Sequence, residues 1–526
     1  MRKEYFSLWG SLLIVIAISF AESKKQHVYT GHEILSQVTV DPADIGFVPV
    51  PYNTSYENVR LKATWTKEPP AYLNGTFYRG SPGQWPDGWW LDGLVTLNAF
   101  NFDGKGGAQY TMKWCQDEAY NKSASGQPLA MDDAPSTNGT IPHSANASWP
   151  TGVSFRKVDG SLLTNTGVTN SNEVDPVTLN PVMMPFVYED DLGAPYVGPT
   201  HAQVVDGTTL HHFVRHVQDS EGDQAYVVTE IPRGSRSRNV VATITKPTAS
   251  SWTGKASFQH MTLATNEYYI MIEASCYYPK KATPIGEVDW VDFGANEMIK
   301  THVRLIDRRT GESNIWPLST RLFAIHHINA YKDEGANAIV IDTINLLPGF
   351  IPCSMAMGQT SMKAMMQKWK RDVRGKSGTY VVRITVPLDR VGATVSPVRI
   401  GKKISGMEFP TIRYDDLNGK PYTYVYACYI SDPTNGYYDS ILKMNVQTGD
   451  TLVWRRNGTY PNEPIFVPDP AGSAEDDGVV VTDVIDVTTN RTMLVVLDAT
   501  TMTEIGVLGP TPRVIPHGFH GRYFSQ

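Results

Sequence analysis

The sequence predicts an all-β fold made of many small antiparallel sheets, either a sandwich array or a propeller. Three observations carry that expectation. An alternating apolar run, a short Asp/Asn/Thr/Gly turn and a second apolar run recur along the chain, the pattern of β-hairpins. The 43 glycines and 35 prolines are scattered rather than clustered, which favours turns over long helices. A single segment, residues 354–377, has helical character. The 526 residues, 41% of them hydrophobic, suffice for a large core; length alone suggests about three or four domains, but all-β architectures often run longer as one unit. A net charge of -7 gives no sign of nucleic-acid binding.

Taken in order, the N-terminus stands outside the fold. Residues 1–21 have Arg2 and Lys3, an apolar run from Leu8 to Phe20 and the small-x-small triplet Ser19-Phe20-Ala21. That is a signal-peptide pattern, with an uncleaved anchor as the alternative, and the run is short for a membrane span. Seven N-x-S/T sequons follow, at Asn53, Asn74, Asn121, Asn138, Asn146, Asn457 and Asn490. Together these features predict the secretory pathway, with a secreted or lumenal product. Residues 22–45 read as a lead-in and residues 46–526 as one domain. Cys115, Cys276, Cys353 and Cys428 are too widely spaced for a zinc knuckle and allow at most two disulfides.

The hairpins are "FNFDGKGGAQYTM", "LIDRRTGES", "ILKMNVQTGDTLVWRR" and "LVVLDATTMTEIGVL". Repeated small sheets of this kind build propeller blades, although the repeats are too degenerate to count. The 354–377 segment is Met- and Lys-rich and free of proline, the composition of an adaptable core or cap helix.

Of 13 histidines, four sit where strand-like runs meet turns: His201, His260, His326 and His520. The gaps between them are 59, 66 and 194 residues, the last about three times either of the others. Equivalent strands of a propeller would give that pattern from three consecutive blades and then a jump of three. In "AIHHINAY" the two histidines are adjacent, and successive strand side chains face opposite ways. Only one of His326 and His327 can therefore aim at a given centre. The cluster "LHHFVRH" (His211, His212, His216) alternates like a strand and lacks the glutamate of a zinc-protease helix, so it reads as structural or surface.

Eight segments taken together resemble the carotenoid cleavage oxygenase family, from about residue 45 to the C-terminus. They are "LNGTFYRGSPG", "WWLDGLVTLNAFNFDG", "SNEVD", "HHINAY", "GMEFPTIRYDD", "EPIFVPDP", "EDDGVVV" and "GFHGRYF". The resemblance implies a seven-bladed β-propeller with a loop and helix cap over one axial Fe(II), ligated by His201, His260, His326 and His520. It leaves His327 and His517 as neighbours. It also implies three glutamates that orient the ligating rings, matched to Glu173, Glu408 and Glu475. Four neutral imidazoles leave coordination positions open, and a partner on each second ring nitrogen fixes the tautomer.

The implied activity is cleavage of a conjugated C=C bond of a carotenoid or apocarotenoid by O2 to carbonyl products, with no acid, base or nucleophile beyond the metal ligands. Retinoid isomerohydrolysis, stilbene cleavage and non-catalytic pigment binding are the alternatives. The "PDPCK" stretch that goes with membrane attachment has no counterpart; a polar segment with three of the sequons stands there instead. That argues against isomerohydrolysis and gives no indication of membrane contact.

Overall fold

The computed structural model describes residues 28–29, 50–84, 94–126, 152–165, 171–192, 198–216, 223–245, 256–274, 301–346, 378–401, 404–432 and 438–526. Within them the chain forms a seven-bladed β-propeller. The helical expectation for residues 354–377 and the sequons at Asn138 and Asn146 lie outside the described residues.

All four hairpins foreseen are present. Residues 94–114 pair Leu94–Asp103 with Ala108–Trp114, and the others pair His302–Asp307 with Ser313–Pro317, Ser440–Asn445 with Thr451–Arg455, and Arg491–Asp498 with Glu504–Leu508. Three of the turns share one mechanism. Asp307, Asn445 or Asp498 ends the first strand, and its side-chain oxygen accepts backbone N–H bonds from the residues two and three places on. Its carbonyl then accepts from the residue four places on, Gly311, Gly449 or Met502, at 2.8 Å each. That residue needs a left-handed φ, of +73°, +78° and +57° respectively. Glycine takes it at no steric cost, and Met502 is held there by a fully buried side chain.

Blade one consists of Tyr56–Arg60, Ala108–Trp114, Leu94–Asp103 and Asn74–Gln84, closed on its inner side by the C-terminal strand Gly521–Ser525. That strand pairs antiparallel to Asn74–Gln84, with Gly521 opposite Arg79 and Ser525 opposite Gly75. Blade seven is completed at its outer edge by Ala63–Trp65, opposite Gly506–Leu508. Chain ends thus supply strands to both blades at the seam, which removes the open edges that a linear array of sheets would leave.

The inner strands of blades two to seven are Ser154–Val158, Gln203–Val205, Leu263–Ala264, His327–Asp333, Met407–Thr411 and Ile465–Pro468. Ile465–Pro468 lies against Gly521–Ser525, which lies against Ser154–Val158; Gln203–Val205, Leu263–Ala264, His327–Asp333 and Met407–Thr411 are successive neighbours. The core fills the space between blade faces. Tyr426, Trp454, Phe466 and Val480 join blades six and seven, while Ile270, Leu305, Trp316 and Ile384 join blades four and five. Inner and middle strands such as Ala338–Leu346 are buried along their whole length, whereas outer strands such as Asn239–Ile244 are largely exposed.

Candidate metal centre

Each of the four singled-out histidines stands at the start of an inner strand, where the chain enters the axis. His201 precedes Gln203–Val205 and bridges to Met261; His260 precedes Leu263–Ala264; His326 and His520 directly precede His327–Asp333 and Gly521–Ser525. They belong to blades three, four, five and one, the distribution that their spacing foretold. One nitrogen from each of the four rings lies within 4.8 Å of those of the others. His260 Nε2 and His326 Nε2 each stand 3.3 Å from His520 Nε2, and His201 Nε2 is buried with no hydrogen-bond partner.

Burial, and then the neighbouring rings, hold His201, His260 and His520 well below the ordinary histidine pKa. They are neutral, and a neutral imidazole offers the lone pair that a metal ion needs. Nitrogen pairs 3.3 Å apart are what bonds of roughly 2.1–2.3 Å to one shared ion would give. The donor set therefore fits a single divalent ion, and nitrogen ligands, unlike carboxylates, would leave its charge uncancelled.

The two adjacent histidines separate as strand geometry requires. His326 turns to the axis, and its Nδ1 donates to Glu408 Oε2 at 2.5 Å. His327 faces the other way, with Nδ1 2.7 Å from Thr343 Oγ1, and burial lowers its pKa to about 3. His517 Nδ1 lies 2.9 Å from Asn462 Oδ1, outside the four-ring group. In the third cluster His212 Nδ1 meets Tyr269 OH at 2.9 Å and His211 Nε2 meets the Pro199 carbonyl at 3.0 Å. Both are structural contacts of strand Thr208–His216, the first buried and the second half-buried.

Only one of the three glutamates expected around the rings is found there. Glu408 lies on the inner strand of blade six and also accepts from the Phe409 N–H at 2.7 Å. Glu173 instead sits on Asn172–Val174, the third strand out from the axis in blade two, with Oε1 3.9 Å from the Arg236 guanidinium. Glu475 is in a rim loop, where its carboxylate accepts from the backbone N–H groups of Thr423 and Tyr424 at 2.7–2.8 Å. Neither reaches a histidine of the cluster, because in a propeller only the innermost strand and its entrance face the axis.

The carboxylate at His520 is Glu463, which sequence reasoning missed. His520 Nδ1 donates to Glu463 Oε1 at 2.9 Å, and Gly521 N–H donates to Oε2 at 2.8 Å. The available signal was the shared pattern of Glu408-Phe409-Pro410 and Glu463-Pro464-Ile465, a glutamate and a proline opening an apolar inner strand. Behind Glu463 lies Arg79, fully buried. Its Nη1 reaches Glu463 Oε2 at 3.1 Å and its Nε reaches Asp483 Oδ1 at 2.9 Å. Burial pushes the Glu463 carboxyl up, and the Arg79 guanidinium opposes that. Close approach of the Asn74–Gln84 strand explains the two glycines of "GFHG": a Cβ at Gly518 would come 2.6 Å from Arg79 Cδ, and one at Gly521 would come 2.6 Å from the Phe77 ring.

Phe409 is a second residue the sequence did not announce. Its backbone is left-handed, φ +54°, within a bulge of the blade-six inner strand. The ring packs against His326 and His520 with centroids 5.0 and 5.7 Å away. Strain of about 1 kcal/mol at a non-glycine residue is retained where the surroundings over-determine it.

A cavity of about 610 Å³ reaches His201, His326 and His520 from the surface. Its lining is mixed, with Met261, Ile328 and Ile412 beside Arg156, Asp415 and Arg522. No helix among the described residues is long and apolar enough to cross a membrane.

The family model described as "Retinal pigment epithelial membrane protein" matches residues 51–525. A chloroplastic carotenoid cleavage dioxygenase 8 homolog A of Oryza sativa subsp. japonica is 28% identical over 492 residues, covering 86% of this chain and 83% of the relative. The mitochondrial carotenoid-cleaving dioxygenase of Homo sapiens is 25% identical over 532 residues, covering 86% of each. A mutant of Synechocystis apocarotenoid oxygenase has the same fold, with TM-score 0.74 at 19% identity over 93% of this chain and 100% of that one. A cobalt-substituted form of that oxygenase matches at TM-score 0.72 and 20% identity, over 91% of this chain and 98% of that one.

These relatives correct the expected secretory destination. The rice and human relatives are named chloroplastic and mitochondrial, which points to organelles rather than to a secreted or lumenal product. The physical reason is that the two cues were weak ones. A basic N-terminus also marks organelle-targeting segments, and a three-residue sequon recurs by chance.

Proposed function

The chain belongs to the retinal pigment epithelial membrane protein family, the carotenoid cleavage oxygenases, and from that premise we propose an Fe(II)-dependent oxygenase that cleaves a conjugated C=C bond of a carotenoid or apocarotenoid. O2 supplies one oxygen atom to each of the two carbon atoms parted, giving two carbonyl products. Residues 46–526 act as one domain, with one iron per chain. The observation that carries this reading is the convergence of His201, His260, His326 and His520 on the axis, with carboxylates behind two of them.

Iron(II) held there supplies a redox-active centre with open positions for O2. The protein's part is positional. The rings present their Nε2 lone pairs, Glu408 and Glu463 hold the Nδ1 proton of His326 and His520, and Phe409 packs its ring against both. No general acid or base is needed at the scissile bond, because both new C–O bonds come from O2.

The test is mass spectrometry of products from iron-loaded protein under 18O2, with a carotenoid, an apocarotenoid, a retinyl ester and a stilbene offered separately. Label in both carbonyl products from a carotenoid or apocarotenoid is the expected result. Unlabelled retinol isomers would replace the proposal by isomerohydrolysis, labelled products from the stilbene alone by phenylpropenoid cleavage, and bound iron without any product by pigment binding.

A further inference from the structure

The partners behind the three outer ring nitrogens are unequal. His326 Nδ1 faces the Glu408 carboxylate at 2.5 Å and His520 Nδ1 faces the Glu463 carboxylate at 2.9 Å, whereas His260 Nδ1 faces a neutral hydroxyl, Thr200 Oγ1, at 3.3 Å. We propose that Thr200 is the positioning residue of His260, and that its neutral, longer contact makes His260 a more readily released metal ligand than His326 or His520. This rests on the four-histidine group being a metal site.

The backbone around Thr200 makes the assignment specific to its hydroxyl. Thr200 N–H donates to the His260 carbonyl at 2.9 Å, His201 N–H approaches the same carbonyl at 3.4 Å, and His201 bridges to Met261 in parallel. On its other side the Thr200 carbonyl accepts from Ser154 Oγ at 2.8 Å. Blades two, three and four are therefore tied together at the Thr200 main chain, by bonds that do not use the Thr200 side chain. What remains for Oγ1 is the rotation and tautomer of one ring.

A carboxylate only accepts, so it forces the proton onto Nδ1 and leaves Nε2 free to ligate. A hydroxyl both donates and accepts. When it donates to Nδ1, the ring proton moves to Nε2 and the ligating lone pair is lost. Thr200 thus permits a non-ligating form of His260 that Glu408 and Glu463 forbid to their own rings. Thr200 is also buried, 4% exposed, which disfavours replacement of its hydroxyl by water.

The experiment loads the full chain with cobalt(II), whose visible spectrum reports its coordination, and follows release to excess EDTA. Thr200→Val is close to isosteric and keeps every main-chain bond; it is expected to speed release about 10-fold, the low end for loss of a residue behind a ligand. Thr200→Ser restores the hydroxyl and is expected to return release to within about twofold of the parent at an unchanged melting temperature. Thr200→Asp places a carboxylate at His260 and is expected to slow release about 10-fold, which keeps the proposal testable if the valine variant does not fold.

Release from Thr200→Val and Thr200→Asp indistinguishable from the parent, while Glu408→Gln speeds it, would overturn the role of Thr200. Failure of the parent to bind cobalt, or equal binding by His326→Ala, would instead overturn the metal-site reading on which the proposal rests.

Discussion

Replacing Glu463 by glutamine tests the carboxylate that the fold places behind His520. Glu463 Oε1 accepts from His520 Nδ1, and Oε2 accepts from both Arg79 Nη1 and the Gly521 N–H. Every neighbour is a donor. Glutamine has one accepting oxygen and one NH2 group, so in one orientation NH2 meets Arg79 and Gly521, and in the other it meets His520. In the first orientation a buried donor faces two donors; in the second His520 must carry its proton on Nε2, which removes the lone pair that would ligate a metal. Hydrogen bonds to charged groups are worth about 1.5–3 kcal/mol, so Glu463→Gln should lower the unfolding free energy of metal-free protein by about 2–3 kcal/mol. Asp483 still pairs with Arg79 Nε, which keeps the loss below that of a wholly unpaired arginine. Metal affinity should fall about 10–100-fold, because the His520 ring loses its orienting acceptor. The assays are urea unfolding of the metal-free chain and competition for metal against a chelator of known affinity. Glu475→Gln is the control; it faces only backbone N–H groups of a rim strand, and should leave metal affinity unchanged. Equal affinities for Glu463→Gln and the parent, or equal losses in the two variants, would refute the reasoning.

Other outcomes follow from the same geometry. His326→Ala should abolish metal retention measured by elemental analysis, whereas His327→Ala should largely spare it, since the second ring faces Thr343. Divalent metal at about 100 times its dissociation constant should stabilise the fold by about 2.7 kcal/mol, read as a rise in melting temperature that His326→Ala abolishes. His211 is neutral in the fold, with its pKa lowered to about 3 by burial and then by Arg156. The unfolded chain binds the extra proton below about pH 6.5, so the stability His211 contributes is complete above that pH and is lost as pH falls toward 3. Parent minus His211→Gln unfolding free energies should therefore shrink by up to about 1.4 kcal/mol per pH unit below 6.5; a difference constant from pH 7.5 to 5 would contradict this.

Much of the fold was legible because hairpins are local. Asp307, Asn445 and Asp498 each end a strand with the turn chemistry that a short window shows, and the apolar runs beside them needed no distant information. The four histidines were singled out through the family-like motifs that carry most of them, and their gaps fit propeller strand entrances that recur at blade-sized intervals. The carboxylates were not. Glu173, Glu408, Glu463 and Glu475 all sit in family-like stretches, and which of them faces the axis depends on strand order within a blade. That order is a property of pairing across the sheet, and it selects Glu408 and Glu463. Thr200 was invisible because its role comes from the Oγ1 of one blade meeting the ring of the next. The expected secretory destination rested on the N-terminal segment and the sequons, and the chloroplastic and mitochondrial relatives contradict it.

The central claim is that one iron ion is held by four particular histidines, and anomalous diffraction at the iron edge from an iron-loaded crystal tests it most directly. The account predicts one strong peak per chain, enclosed by the imidazoles of His201, His260, His326 and His520 and lost in His326→Ala. A peak elsewhere in the fold, or none in protein that elemental analysis shows to be loaded, would contradict it.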